Sequence, residues 1–163
     1  MLKPGNLRAH LTAALPELAR DPDKLVVLAS AGRAICTGTG TLSFEYAYTL
    51  KIILLDYAGH ADAVIVPLIA WVATNQPELL DSPDRREQAI RFDVDYLTAQ
   101  TIDLAIEIAL TERVLVRPRE GTPSGLNVIH VGEPPHPGHI EQREHWTLWL
   151  KDELLAEWNH DPR

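Results

Sequence analysis

Apolar and polar residues alternate over three stretches of the chain. Phe44, Tyr46, Tyr48, Leu50, Ile52 and Leu54 fall on one side, opposed by Glu45, Thr49 and Lys51. Ile90, Phe92, Val94 and Tyr96 oppose Arg91, Asp93 and Asp95, and Ile102, Leu104, Ile106, Ile108 and Leu110 oppose Asp103, Glu107 and Thr111. A period of two with one wet side predicts strands of an antiparallel or mixed sheet covered on one face only. Strands with room for ten or more residues also predict strong twist or protrusion beyond the sheet.

The cover is predicted from two segments of helical character. Leu7, Leu11, Leu15 and Leu18 form one apolar stripe after the punctuation Lys3-Pro4-Gly5-Asn6, and Pro16 ends or kinks that helix before the stripe stops. Residues 62–76 are apolar on nearly all sides, which predicts a helix sandwiched between the sheet and the first helix, or against another subunit. Pro67 would kink it unless it begins near Val66, where proline suits a first turn.

The remaining pieces are shorter. Residues 25–29 and 34–36 read as two short strands around Ala31-Gly32-Arg33, although the first is equally compatible with a helical turn. Thr37-Gly38-Thr39-Gly40-Thr41 suggests a bulge or a mobile strand margin. Asn75-Gln76-Pro77 and Asp81-Ser82-Pro83-Asp84 bracket a polar connection, and residues 126–131 form a last short strand. Gly132-Glu133-Pro134-Pro135-His136-Pro137-Gly138-His139 then reads as a semi-rigid spacer. Beyond it lie three of the four tryptophans. Trp146, Leu148 and Leu150 alternate, so a hairpin around Lys151-Asp152 is possible, and Trp146, Leu150, Leu154 and Trp158 also stand four apart, as in a helix. The expected fold is thus α+β: a mixed or antiparallel twisted sheet with two helices on one face, and, after a proline-rich linker, a tryptophan-rich C-terminal hairpin arm. The divisions are a core at 1–131, a linker at 132–142 and an arm at 143–163. The arm either reaches a neighbour or folds back on its own domain.

Composition narrows the function classes. With 163 residues, one domain of ordinary hydrophobicity is expected, and lone Cys36 excludes a disulfide scaffold. A compact chain of this mass would keep a folded surface of about 8,100 Å². The longest apolar run is too short to cross a bilayer and the start lacks a signal-peptide core, so no membrane association and manufacture in the cytoplasm are expected. The net charge of −8 argues against specific nucleic-acid binding, which needs a basic patch, and favours a protein partner.

Candidate chemistry is sparse. His136 and His139 with His145 have loose metal-ligand spacing but sit in or beside a proline spacer without thiolates, so solvated histidines are the better reading. The Thr37–Gly40 stretch lacks the Gly-Lys-Thr or Gly-Lys-Ser that a phosphate cradle needs. Cys36 reads as a small buried hydrophobe, and no nucleophile elbow exists. Asp93, Asp95, Asp103 and Glu107 crowd one wet face, where Lys51 and Arg91 are available to neutralise them. Aromatic anchors suit interface centres. Trp146, Trp149, Leu150 and Trp158 are therefore the candidate interface contacts.

A collinear set of residues carries a resemblance. It comprises Leu2-Lys3-Pro4 with Leu7-Arg8, Leu42-Ser43-Phe44, Tyr48-Thr49-Leu50, Asp56, Ile65-Val66-Pro67 with Ala70-Trp71, and Asn75-Gln76-Pro77. Leu110-Thr111-Glu112-Arg113, Glu133-Pro134-Pro135 and Glu153-Leu154 with Trp158 complete it. Together they resemble the tail completion protein R family of P2-like temperate phages. Pro16, and Lys151-Asp152 where the family tends to have an Asn-Gly-type turn, depart from the pattern. The resemblance implies a structural role with no catalytic, metal or cofactor residues. It implies a homo-oligomeric ring, six-fold as in terminator proteins, on the head-proximal end of a contractile tail in the virion. Tail tube protein, tail sheath protein and a head-completion connector are the implied partners. The alternatives are the collar of a headless contractile bacteriocin, a small-molecule hydrolase, and a monomeric binder with its arm folded inward.

Overall fold

The computed structural model describes residues 1–38, 40–134 and 142–161. Most of the proposed linker, with His136 and His139, lies outside the described residues, as does Thr39.

The fold is α+β, and every strand pair is antiparallel. Helix α1 (Lys3–Ala14) starts at Lys3, earlier than the Lys3–Asn6 punctuation suggests, because Pro4 occupies the first turn, where its missing N–H costs nothing. Leu15 is extended and Pro16 opens a second short helix, α2 (Pro16–Arg20), so the proline breaks the stripe while Leu7, Leu11, Leu15 and Leu18 all stay buried.

The two short segments expected around Gly32 are one strand, β1 (Leu25–Cys36), with a bulge between Ser30 and Arg33. Ala31 at φ 49 supplies the turn of the backbone that lets pairing resume beyond it. β1 pairs with β2 (Phe44–Tyr57), and β2 with β4 (Ile102–Pro118), which is 17 residues long and extends well past the alternating stretch. Between them the chain forms α3 (Asp62–Asn75), α4 (Pro83–Ala89) and β3 (Ile90–Tyr96). The polar connection after Asn75 therefore holds a short helix, capped by the Ser82 hydroxyl accepting from Arg85 N–H.

β3 pairs with the first half of β4, and β5 (Leu126–His130) pairs with its second half. Val114 pairs with Phe44 on β2 and with His130 on β5, so β3 and β5 share the edge of β4 opposite β2. Between them that edge is left open.

α3 begins at Asp62, so Pro67 stands inside the helix rather than in a first turn near Val66. It withholds an N–H from the preceding turn, and its own carbonyl accepts from His10 Nε2 at 3.0 Å. Ala63, Val64, Leu68, Trp71 and Val72 join Leu7, Leu11, Leu50, Ile52, Leu104 and Ile106 in one core. Only Ile69 among its large apolar residues is exposed, close to the expected absence of a wet side.

The C-terminal segment is a hairpin of β6 (Glu144–Leu150) and β7 (Glu153–His160), and β7 packs on α1 and α3. The four-residue spacing of Trp146, Leu150, Leu154 and Trp158 fits strands as well, since all four are even positions. Lys151 at φ 53 makes the tight turn, and the register shifts beside it between Leu148 and Trp149. Here the arm lies on its own domain.

Candidate functional site

Helices cover only one half of the β2–β4 ladder. There Leu50, Ile52 and Leu54 meet Ile108, Ile106 and Leu104 and are shut off from solvent. In the other half the inward positions pass to Phe44 and Tyr46, whose rings meet edge to face at 4.8 Å, and to the β5 residues Leu126 and Val128, which are 53% and 63% exposed. Cys36 belongs to this end and is exposed, contrary to the expectation of a buried thiol: the strand has run past the helix layer there.

At the boundary of the two halves lies a buried polar network that the sequence reading missed. Glu112 takes an inward position, continuing Leu104, Ile106, Ile108 and Leu110, and is 4% exposed. Its carboxylate accepts from Tyr48 Oη at 2.6 Å, Leu2 N–H at 2.7 Å and Lys3 N–H at 3.4 Å. His130 Nδ1 lies 3.3 Å away and pairs with it when protonated. Burial pushes the Glu112 carboxyl up, but the hydrogen bonds from Leu2 and Tyr48 outweigh it and hold it below the usual carboxylate value. Burial, reinforced by Glu112, raises the Tyr48 hydroxyl well above its usual value.

Lys3 fills the open edge of β4 between β3 and β5. Its ammonium donates to the Thr111 carbonyl at 2.7 Å, Gln76 Oε1 at 2.7 Å and Glu133 Oε1 at 2.9 Å. Gln76 Oε1 in turn accepts from Thr111 N–H at 3.1 Å, and its amide reaches Glu78 and Thr111 Oγ1. Two side chains thus satisfy backbone groups that a strand would otherwise pair. The detectable signal was a carboxylate at an inward position of an alternating strand.

The candidate contact residues divide. Trp158 is buried, 5.6 Å from Trp146 and 6.5 Å from His10 between ring centroids, and Trp146 stacks on His160 at 4.5 Å. Burial holds His10 below the usual imidazole value. These rings fasten the base of the hairpin, beside a cavity of about 360 Å³ lined by Asn6, His10, Trp71 and Asn159. At the tip, Trp149, Leu150 and Leu154 are 55%, 40% and 43% exposed.

Of the other candidates, Lys51 and Arg91 both pair with Glu107, at 2.7 and 3.2 Å, rather than being shared among the four carboxylates. The Lys51 hydrogen bond and charge hold the Glu107 carboxyl below its usual value. His145 is exposed, 3.0 Å from Asn159 Oδ1. Among the described residues no three metal-ligating side chains meet, and no helix is long and apolar enough to cross a membrane.

Leu2-Lys3, Tyr48, Gln76, Thr111-Glu112 and Glu133 of this network come from segments that carry the family resemblance; His130 and Glu78 do not. A family model described as P2 phage tail completion protein R (GpR) matches residues 1–134. The chain belongs to this GpR family. Its match ends just past Glu133, the last member of the network. Tail completion protein R of Escherichia phage P2 is 35% identical over 159 residues, covering 98% of this chain and 99% of that protein, so this similarity extends through the hairpin. No solved structure matches.

Proposed function

We propose that this protein is a structural tail completion protein that closes the head-proximal end of a contractile tail as a ring, six copies returning to the start. It acts by occupying the last interface of the tail tube and sheath, and presents a surface to which a head-completion connector binds. It is part of the virion, assembled in the host cytoplasm, and its work is non-enzymatic. The observation that carries the reading is family membership over the whole core.

The exposed apolar residues fit that role. A cap on a stacked tube needs heterologous contacts that close on themselves. The hairpin tip, with Trp149 and Leu150 outward, is the proposed tail or subunit contact, while Trp146 and Trp158 hold the hairpin at the angle that presents it.

The test is deletion of the gene from the particle that encodes it. The expected result is tails without attached heads and infectious yield reduced at least about a hundredfold, restored by the protein supplied in trans. Normal yield from the deletion would overturn the reading. A particle that has no head but loses its killing activity on deletion would identify the bacteriocin collar instead.

A further inference from the structure

The uncovered side of the five-stranded sheet is charged unevenly along its length. Register places Asp93, Asp95 and Asp103 on that side at one end, with Asp95 directly opposite Asp103. Like charges in this position repel. Among the described residues the two nearby cations, Lys51 and Arg91, are committed to Glu107, and no cation pairs with these three aspartates. The same side at the other end carries Arg33, Arg113 and Arg117, all exposed. Glu45 opposes Arg113 and offsets one positive charge, so this end stays positive in a chain whose net charge is −8. Exposed apolar residues on the same side flank the arginine end, where Ile35 and Ile129 are 44% and 43% exposed.

We propose that copies of this chain join head to tail through this side of the sheet, the aspartate end of one copy seated against the arginine end of the next. The two ends are different patches of one molecule with opposite sign; a two-fold pair would satisfy both at once, and it is the ring reading above that selects contacts running from each copy to the next. The occupant is a second copy because this chain itself supplies both halves of the complementarity. The proposal rests on the ring reading above and specifies its subunit contact.

Charge exchange tests it. In particles lacking the gene, three chains are supplied in trans: Asp93→Arg with Asp95→Arg, Arg113→Glu with Arg117→Glu, and all four substitutions together. Each pair alone is expected to lower the yield of complete particles about a hundredfold, and the fourfold chain to return it to within about tenfold of the unaltered protein. Pairs that complement fully overturn the proposal while leaving the tail role standing. A fourfold chain that stays inactive also overturns it, and points to a different protein as occupant. Failure of the tail role itself is read separately, from the deletion without any complementation.

A second measurement does not depend on the reversed chains folding. Asp95→Cys with Arg117→Cys, in a Cys36→Ser background, is oxidised in the assembled particle. A ladder of covalently linked copies is expected, and monomer alone, or a dimer with nothing larger, overturns the proposal.

Discussion

The two halves of the β2–β4 ladder are made by the same two strands and differ in what lies over them. In the covered half, leucine and isoleucine face helices and are sealed. In the other half aromatic, valine and polar residues face partial cover or solvent, and β5 has apolar side chains exposed on both faces. The first half supplies the cohesion of the fold. The second is ordered by continuation of the ladder and by the Glu112 network at the boundary. Surface of this kind is stable without its partner, and is therefore ready for one.

The largest effect is expected inside the covered half. Ile106→Ala removes a fully buried side chain at the centre of the ladder and should lower unfolding stability by about 4 kcal/mol, measured by denaturant titration. A loss of less than about 1 kcal/mol would mean that the helices do not seal this face.

The boundary comes next. Glu112→Ala leaves Tyr48 Oη and two backbone N–H groups without their acceptor and should cost about 3 kcal/mol. Because the folded carboxyl titrates below its unfolded value, its contribution is present above the unfolded pKa and is lost as pH falls through the folded one. The difference between unaltered protein and Glu112→Ala should thus shrink as the pH is lowered below about 4.5. A difference independent of pH would assign the cost to packing alone.

The smallest effect on stability is expected in the open half. Val128→Ser, at a position 63% exposed, should leave the melting transition unchanged to within about 0.5 kcal/mol. A larger loss would show that this end is sealed by contacts of its own.

The legible parts of the fold were those governed by a single local rule. Alternation located β2, β3 and the first half of β4, the leucine stripe located the first helix, and Pro16 its break. β1 reads as two segments because a bulge at Ala31 interrupts its alternation, and the apolar neighbourhood of Cys36 in sequence does not reveal where the helix layer stops. The hairpin was ambiguous for an arithmetical reason: positions four apart are also positions of the same parity. Opposed indoles at Trp146 and Trp158, with a tight turn at Lys151, resolve it.

The Glu112 network was not legible because its members come from segments far apart in the chain, and each looks ordinary alone. Lys3 reads as a helix-start residue, Gln76 as part of a turn and Glu133 as linker. Only the inward parity of Glu112 marked it. In the same way the two charged ends of the open sheet face come into view only when β1, β3 and β4 are laid side by side.

Among the described residues the 17-residue β4 is the one strand that pairs with β2, β3 and β5, and at about 3.3 Å per residue it reaches some 55 Å. Against β2 it pairs in register from Phe44–Val114 to Leu54–Leu104, and beyond a bulge again at Tyr57–Ile102. A load along its axis is met by many ladder hydrogen bonds in shear, acting together rather than opening one after another. The strand is in effect a stiff spar, braced by neighbours along both edges.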